Sequence, residues 1–210
     1  MARYNGPVCK LCRREGLKLF LKGSRCYNKE KCSFEDRKNP PGLPPKRKGK
    51  ISDYSLQLRE KQKVKRIYGI LEKQFRDYYL KATHHEGIAG ENLLQLLERR
   101  LDNTLFRMGF ATSRAQSRSF IYQGHVVVNG VRVNIPSYQI KVGDIVSFSE
   151  KFTKSPSLEM NVKFAQSMNK HPNWVSPDFT KMSGEVIALP KREHVDMPIK
   201  EHVIVELYSK

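Results

Sequence analysis

A chain of 210 residues can form one large domain or two small ones. It carries 39 Lys or Arg against 21 Asp or Glu, for a net charge of +18 and a pI of about 9.9, the electrostatic footprint of a polyanion binder. No apolar run approaches the ~20 residues of a membrane span, and neither a lipidation signal nor a strongly amphipathic basic helix is present, so nucleic acid is preferred to a membrane as partner.

The charge is concentrated at the start. Residues 1–50 hold 15 basic and 4 acidic side chains, a net +11. Polar and charged residues interrupt the first fifteen positions, so no secretory leader is read there and the expected compartment is the cytoplasm. All four cysteines lie in this arm, as Cys9-x2-Cys12 and Cys26-x5-Cys32. Two close pairs separated by a loop can set four thiolates around one zinc ion. Disulfides are disfavoured in a reducing cytosol, an iron–sulfur cluster matches the same thiolate count, and four plain reduced thiols are the bland alternative. A redox Cys-x-x-Cys would need a strand–helix setting that is missing here. A closed, structural zinc site on Cys9, Cys12, Cys26 and Cys32 is favoured. Lys10, Arg13, Arg14, Arg25, Lys29 and Lys31 crowd these cysteines and are expected to lower their pKa values. An arm this basic buries too little apolar surface to fold unaided, which gives a metal its purpose.

From Asn39 to Lys50 the stretch NPPGLPPKRKGK is a linker by chemistry, because prolines exclude regular structure and its Lys-Arg-Lys cluster invites phosphate. Ser52 then caps a helix expected to run to Tyr68 and stop at Gly69, with Arg59, Lys63 and Arg66 along a candidate RNA face and Tyr54, Leu58 and Ile67 as apolar anchors. A second helix is expected from Glu72 to His84 with Phe75, Tyr79 and Ala82 inward. The aromatic residues there are read as core, and the His84-His85 pair is assigned no role. Glu91 to Arg100 should be helical, with Leu93, Leu94, Leu96, Leu97 and Leu101 against a core.

The stretch from residue 107 to 149 is the most informative. Ser113 is an N-cap and Gly124 a stop, and between them Arg114, Arg118 and Tyr122 share one face at i, i+4 and i+8. Ser117, Phe120 and Ile121 take the opposite face. His125–Val128 and Val131–Val133 flank Asn129-Gly130, the dipeptide that favours a type I′ hairpin. Lys141, Gly143 and Asp144 mark a turn before a strand at Ile145–Phe148. A charged helix face is most often merely solvated, so the arginines alone decide little. Pro156 should open a further helix using Leu158, Val162, Ala165 and Met168. Trp174 is expected to anchor packing, and Val186–Leu189 and the alternation Val203, Val205, Leu207 read as strands.

The run Arg100-Leu101-Asp102-Asn103, then Arg107, Gly109-Phe110, Ser113-Arg114, Arg118, Gly124-His125 and Val128-Asn129-Gly130 resembles the small RNA-binding module named after small-subunit ribosomal protein four. The opening MARYNGPVCKLCRREGLKLFLKG and the later RCYNKEKC resemble the N-terminus of the bacterial form of that family, and the resemblance covers essentially the whole chain. It implies direct binding to small-subunit ribosomal RNA, with nucleation of five-prime-domain assembly. It also implies contact with small-subunit ribosomal protein five at an interface linked to decoding accuracy. It further implies an approach of Lys46, Arg47, Lys48 and Lys50 to messenger RNA at the entry channel; a spacer touching only ribosomal RNA is the alternative. Family members occur with and without the cysteines, so zinc would aid the fold rather than constitute the function. The gap Cys26-x5-Cys32 is one residue longer than the metal-bearing spacing.

The expected fold is α+β in three parts. Residues 1–50 form a basic zinc-binding arm with its linker. Residues 51–92 form a mainly helical domain completed by 177–210, the completion being implied by the resemblance. Residues 93–176 form an inserted RNA-binding module of helix and antiparallel sheet, with its core at 99–150. The candidate RNA contacts are Arg3, Lys10, Arg13, Arg14, Lys22, Lys46, Arg47, Lys48, Lys50, Arg59, Lys63, Arg66, Arg100, Arg107, Arg114, Arg118, Tyr122, His125, Asn129 and Lys141. No Gly-rich phosphate loop, nucleophile elbow or paired carboxylates are readable, and no small-molecule substrate is implied. An RNA-modifying enzyme such as a pseudouridine synthase would need a large catalytic domain for which about sixty residues after the module are too few. A free RNA-binding stress factor is the other alternative.

Overall fold

The computed structural model describes residues 4–37, 39–43, 50, 52–168 and 171–209. The chain divides into two compact units, one of residues 1–93 with 197–210 and one of residues 94–196. Among the described residues no helix is long and apolar enough to cross a membrane.

In the first unit, helix α1 (Cys9–Glu15) ends at Gly16, and a 3₁₀ turn (Gly23–Cys26) and the short α2 (Ser33–Asp36) complete a knuckle around buried Leu19. Helix α3 (Asp53–Ile67) begins as expected: the Ser52 hydroxyl accepts from the Ser55 N–H at 3.3 Å. Its exit turns on Gly69, at φ 60°, a left-handed conformation glycine adopts without cost. Helix α4 (Glu72–His84) buries Phe75, Tyr78, Tyr79 and Ala82. Of the expected anchors Ile67 is buried and Leu58 half-buried, but Tyr54 is exposed, and Val64 is buried in addition.

Residues Val203, Val205 and Leu207 do not form a strand. They lie in helix α10 (Glu201–Ser209), which packs on α3. The side chain that goes inside is Ile204, with Tyr208 one turn on stacking against Tyr79 at 4.6 Å and Phe75 at 6.3 Å. The i, i+2 alternation was thus overridden by the burial of Ile204 and, four residues on, the stacking of Tyr208 on the aromatic rings of α4. The Tyr208 hydroxyl donates to Glu72, which also receives Lys61 at 2.7 Å and Lys65 at 2.9 Å. Burial pushes this carboxyl up, but the hydrogen bonds from Lys61, Lys65 and Tyr208 outweigh it and pull it down to about 2. A carboxylate with a depressed folded pKa stabilises above its ordinary value near 4.5 and loses that contribution as pH falls toward 2. Because Glu72 is nearly half exposed, solvent screening reduces the effect to about 1 kcal/mol. Glu72→Gln should remove that acid sensitivity, read as the difference in urea midpoint between pH 6 and about pH 3.

The second unit starts within helix α5 (Ala89–Glu98), between Leu93 and Leu94, and continues through α6 (Leu101–Arg107) and α7 (Arg114–Tyr122). Helix α5 therefore stops two residues short of the expected Arg100. Strands β1 (Val126–Val128), β2 (Val131–Arg132), β3 (Ile145–Phe148), β4 (Val175–Asp178) and β5 (Ser183–Val186) make one antiparallel sheet in the order β2-β1-β3-β5-β4. Asn129 and Gly130 have φ of 49° and 80°, as a type I′ turn requires. Helices α8 (Glu150–Thr153) and α9 (Pro156–Met168) follow β3. Leu101, Leu105, Phe110, Phe120, Ile121, Val126, Val146, Leu158 and Trp174 meet in one core.

Two strand expectations shift here. The strand read at Val186–Leu189 lies at Ser183–Val186, because Gly184 and Val186 face the core while Ile187 and Leu189 are exposed. A Cβ on Gly184 would stand 2.8 Å from the Met108 sulfur, so the position is small to admit Met108 rather than to break a strand. Strand β4, with Pro177 tolerated at the sheet edge, carried no alternation to announce it. Since β5 pairs with β3, residues 177–196 belong to the second unit, and the return to the first comes at Met197 rather than at 177.

Candidate nucleic-acid interface

Helix α7 is built as its sequence prescribes. The Ser113 hydroxyl accepts from the Gln116 N–H at 3.3 Å, and Ser117, Phe120 and Ile121 are buried against the core. Arg114, Arg118 and Tyr122 share the other face; Tyr122 is exposed and the two arginines are half-buried. Both arginines are anchored on α6. Arg118 Nε donates to Asp102 Oδ2 at 2.6 Å, and Arg114 Nε donates to Asn103 Oδ1 at 2.8 Å with its guanidinium over the Phe106 ring.

Two other expected contacts are corrected. Arg100 is 1% exposed, its guanidinium forked onto Asp102 at 3.0 and 2.8 Å. Arg107 is buried too, bonded to Glu98 at 2.9 and 3.0 Å and to Asp196 at 2.5 Å. They are interior ion-pair partners, because taking a guanidinium out of water demands a carboxylate beside it. Asn129 is likewise turned to internal use: its Oδ1 accepts from the Ile145 N–H and its Nδ2 donates to Asp144, whose other oxygen takes the Lys141 N–H. It staples the two turns together. The His125 ring lies flat on Phe152, 4.1 Å between centroids, while Lys141 is exposed. Sequence reasoning missed Glu98, Asn103 and Asp196 as members of this network.

Arg107→Ala would leave the Glu98 carboxylate, which is fully buried, without its guanidinium. The expected loss is about 3–5 kcal/mol from the second unit. Trp174, the chain's single tryptophan and 1% exposed, reports that unit's unfolding by fluorescence. A loss below about 1 kcal/mol would mean the pair is incidental.

The basic face of α3 is also drawn inward. Arg59 and Arg66 converge on the buried Glu15 of α1, Lys63 reaches Glu60 at 2.6 Å and the Pro198 carbonyl at 2.7 Å. Burial pushes the Glu15 carboxyl up, with Arg59 and Arg66 opposing. These three cations hold the first unit together, which an outward RNA face did not anticipate.

At the knuckle, Lys10, Arg14 and Lys22 are exposed, whereas Arg13 donates to the Asn39 carbonyl at 2.8 Å. Lys50 is exposed; Arg3, Lys46, Arg47 and Lys48 lie outside the described residues. The four cysteines are free thiols, with Cys12, Cys26 and Cys32 buried. The Lys22 N–H points at the Cys26 sulfur at 3.3 Å, and the Leu19 backbone hydrogen-bonds Cys12. Burial pushes the Cys12 and Cys26 thiols up, and the charges of the other cysteines add to it. The lowering expected from nearby cations is overturned for these two, since the cations stay in water while the sulfurs do not. Among the described residues no three Cys, His, Asp or Glu side chains are gathered closely enough to hold a metal ion.

Residues 3–98 match the ribosomal protein S4/S9 N-terminal domain and residues 99–146 match the S4 domain. The chain is 62% identical to small ribosomal subunit protein uS4 of Leptospira biflexa over 210 residues, all of both chains. It is 56% identical to the uS4 protein of Caldicellulosiruptor saccharolyticus and 50% identical to that of Thermodesulfovibrio yellowstonii, again over the full length of each. With an arginine helix on a small antiparallel sheet, a basic knuckle, and end-to-end identity of this order, the chain belongs to the family of small ribosomal subunit protein uS4.

Proposed function

We propose that this protein is a structural constituent of the small ribosomal subunit and binds small-subunit ribosomal RNA directly. As a ribosomal protein of this family it is not an enzyme. The observation that carries the RNA-binding reading is α7, whose Arg114, Arg118 and Tyr122 form one face of a helix anchored from behind. That face and exposed Lys141 fix register on folded RNA, while Lys10, Arg14 and Lys22 neutralise phosphates and release counterions.

The finer reading follows the family resemblance. The protein nucleates assembly of the five-prime domain and meets small-subunit protein five at a surface that bears on decoding accuracy. Lys46, Arg47, Lys48 and Lys50 approach messenger RNA at its entry, and the whole acts in the cytoplasm. Neutralising those four residues should then impair ribosomal unwinding of structured messages.

The donor set suits a structural zinc ion. Four free thiols lie in one knuckle, and backbone N–H groups already support the Cys12 and Cys26 sulfurs, as outer-shell donors do in thiolate sites. Cys9, Cys12, Cys26 and Cys32 would hold it once drawn closer together, and with four protein ligands the ion would supply fold stability and no chemistry.

The test is chemical footprinting of naked small-subunit ribosomal RNA with the purified protein. The expected result is a discrete protected junction in the five-prime domain without any other protein present. Protection that appears only after other proteins bind would overturn the nucleating role, and no protection at moderate salt would favour a free stress factor.

A further inference from the structure

We propose that Asp102 and Asn103 are positioning residues: they set the guanidinium planes of Arg118 and Arg114 and so give the interface its preference for folded over unstructured RNA. This rests on the RNA-binding reading above. The two acceptors are consecutive on α6 and the two arginines stand one turn apart on α7, so a single helix pairing aligns both bonds. Each arginine is held by Nε, the nitrogen nearest its own chain, at 2.6 and 2.8 Å. A bond at that atom fixes the direction in which the planar fork projects.

The acceptors are themselves fixed. Asp102 is clasped by Arg100, and Asn103 donates its amide to the Glu98 carbonyl and carboxylate at 2.8 Å each. Both are 1% exposed or less, so water does not compete for them. Arginines held this way lose little conformational freedom on binding. That advantage counts only against RNA whose phosphates are also fixed in space, because an unstructured strand can adapt to cations placed anywhere.

Charge alone predicts the opposite sign. Asp102 places a negative charge behind the cationic face, so removing it should tighten binding to every RNA if its role were only electrostatic. A positioning role predicts weaker binding to the folded RNA.

The experiment uses the full-length protein and two variants, Asp102→Asn and Arg118→Lys. Affinity is measured at one salt concentration for a folded five-prime-domain fragment of small-subunit ribosomal RNA and for polyuridine of equal length. The ratio of the two affinities is expected to fall about tenfold in each variant, the scale of losing one charge-assisted bond. Asp102→Asn added to Arg118→Lys should then cost less than about twofold more, because both act through one contact. Arg118→Lys keeps the charge and leaves the Arg100–Asp102 pair in place, so an unchanged ratio there counts against the proposal even where Asp102→Asn folds poorly. An unchanged ratio in Arg118→Lys, or tighter binding of both RNAs by folded Asp102→Asn, overturns the proposal. A wild-type protein that does not distinguish the two RNAs would instead remove the RNA-binding reading beneath it.

Discussion

Raising salt from about 50 to about 200 mM should weaken binding to folded small-subunit ribosomal RNA by roughly 10³–10⁵-fold. The size follows from which cations face outward. Arg100, Arg107, Arg59 and Arg66 are committed to carboxylates, and Lys61 and Lys65 share Glu72, so none of these adds a phosphate contact at little cost. The exposed set around the knuckle is Lys10, Arg14, Lys22, Arg25, Lys29 and Lys31, and the second unit adds exposed Lys141 and half-buried Arg114, whose Nε donates to the Asn103 amide rather than to a carboxylate. That is roughly the six to ten contacts from which such a slope arises. Filter binding over a salt series reads it directly. A slope corresponding to only one or two phosphates would mean that charge is incidental and would sink the electrostatic account.

If the proposed zinc site is filled, stripping the metal should have a comparably large effect, confined to the knuckle. Structural zinc contributes about 10–16 kcal/mol of binding free energy in small thiolate folds, and that energy is folding energy. A strong chelator should therefore open residues 9–37 to protease while Trp174 fluorescence stays unchanged. Acid should mimic the chelator. With the Cys12 and Cys26 thiols pushed above the ordinary value of 9.0, metal binding must displace protons at neutral pH, so affinity rises with pH and is lost on acidification. Cobalt substitution makes the ligands visible through thiolate charge-transfer absorption. Absence of that band at one equivalent would leave four plain thiols, and the zinc reading would fall.

What could be read from sequence was local. Ser113, Gly124 and Asn129-Gly130 each act on their own few residues, and α7 and the β1–β2 hairpin form where they direct. The failures were tertiary. Nothing near Val203 says that Phe75 and Tyr79 wait to receive Tyr208, so a helix was taken for a strand. Met108 packs over Gly184 in β5, a contact that no local pattern announces. The site divided in the same way. Periodicity showed that Arg114 and Arg118 share a face, but burial decides which arginines face RNA, and Arg107 meets its acids at Glu98 and Asp196 only once the chain has folded. Asn129 was singled out as an RNA contact, and the fold adds a second use for it in joining the two turns.

The division of the chain carries a consequence for synthesis. Residues 94–196 are contiguous and can close their core as soon as they emerge, whereas the unit begun by residues 1–93 waits for Met197–Lys210 to dock α10 on α3. At about 5–20 residues per second that is a delay of several seconds or more. The usual N-terminal-first order is thereby inverted: residues 197–210 act as the fastening of a unit whose translation began before that of residues 94–196.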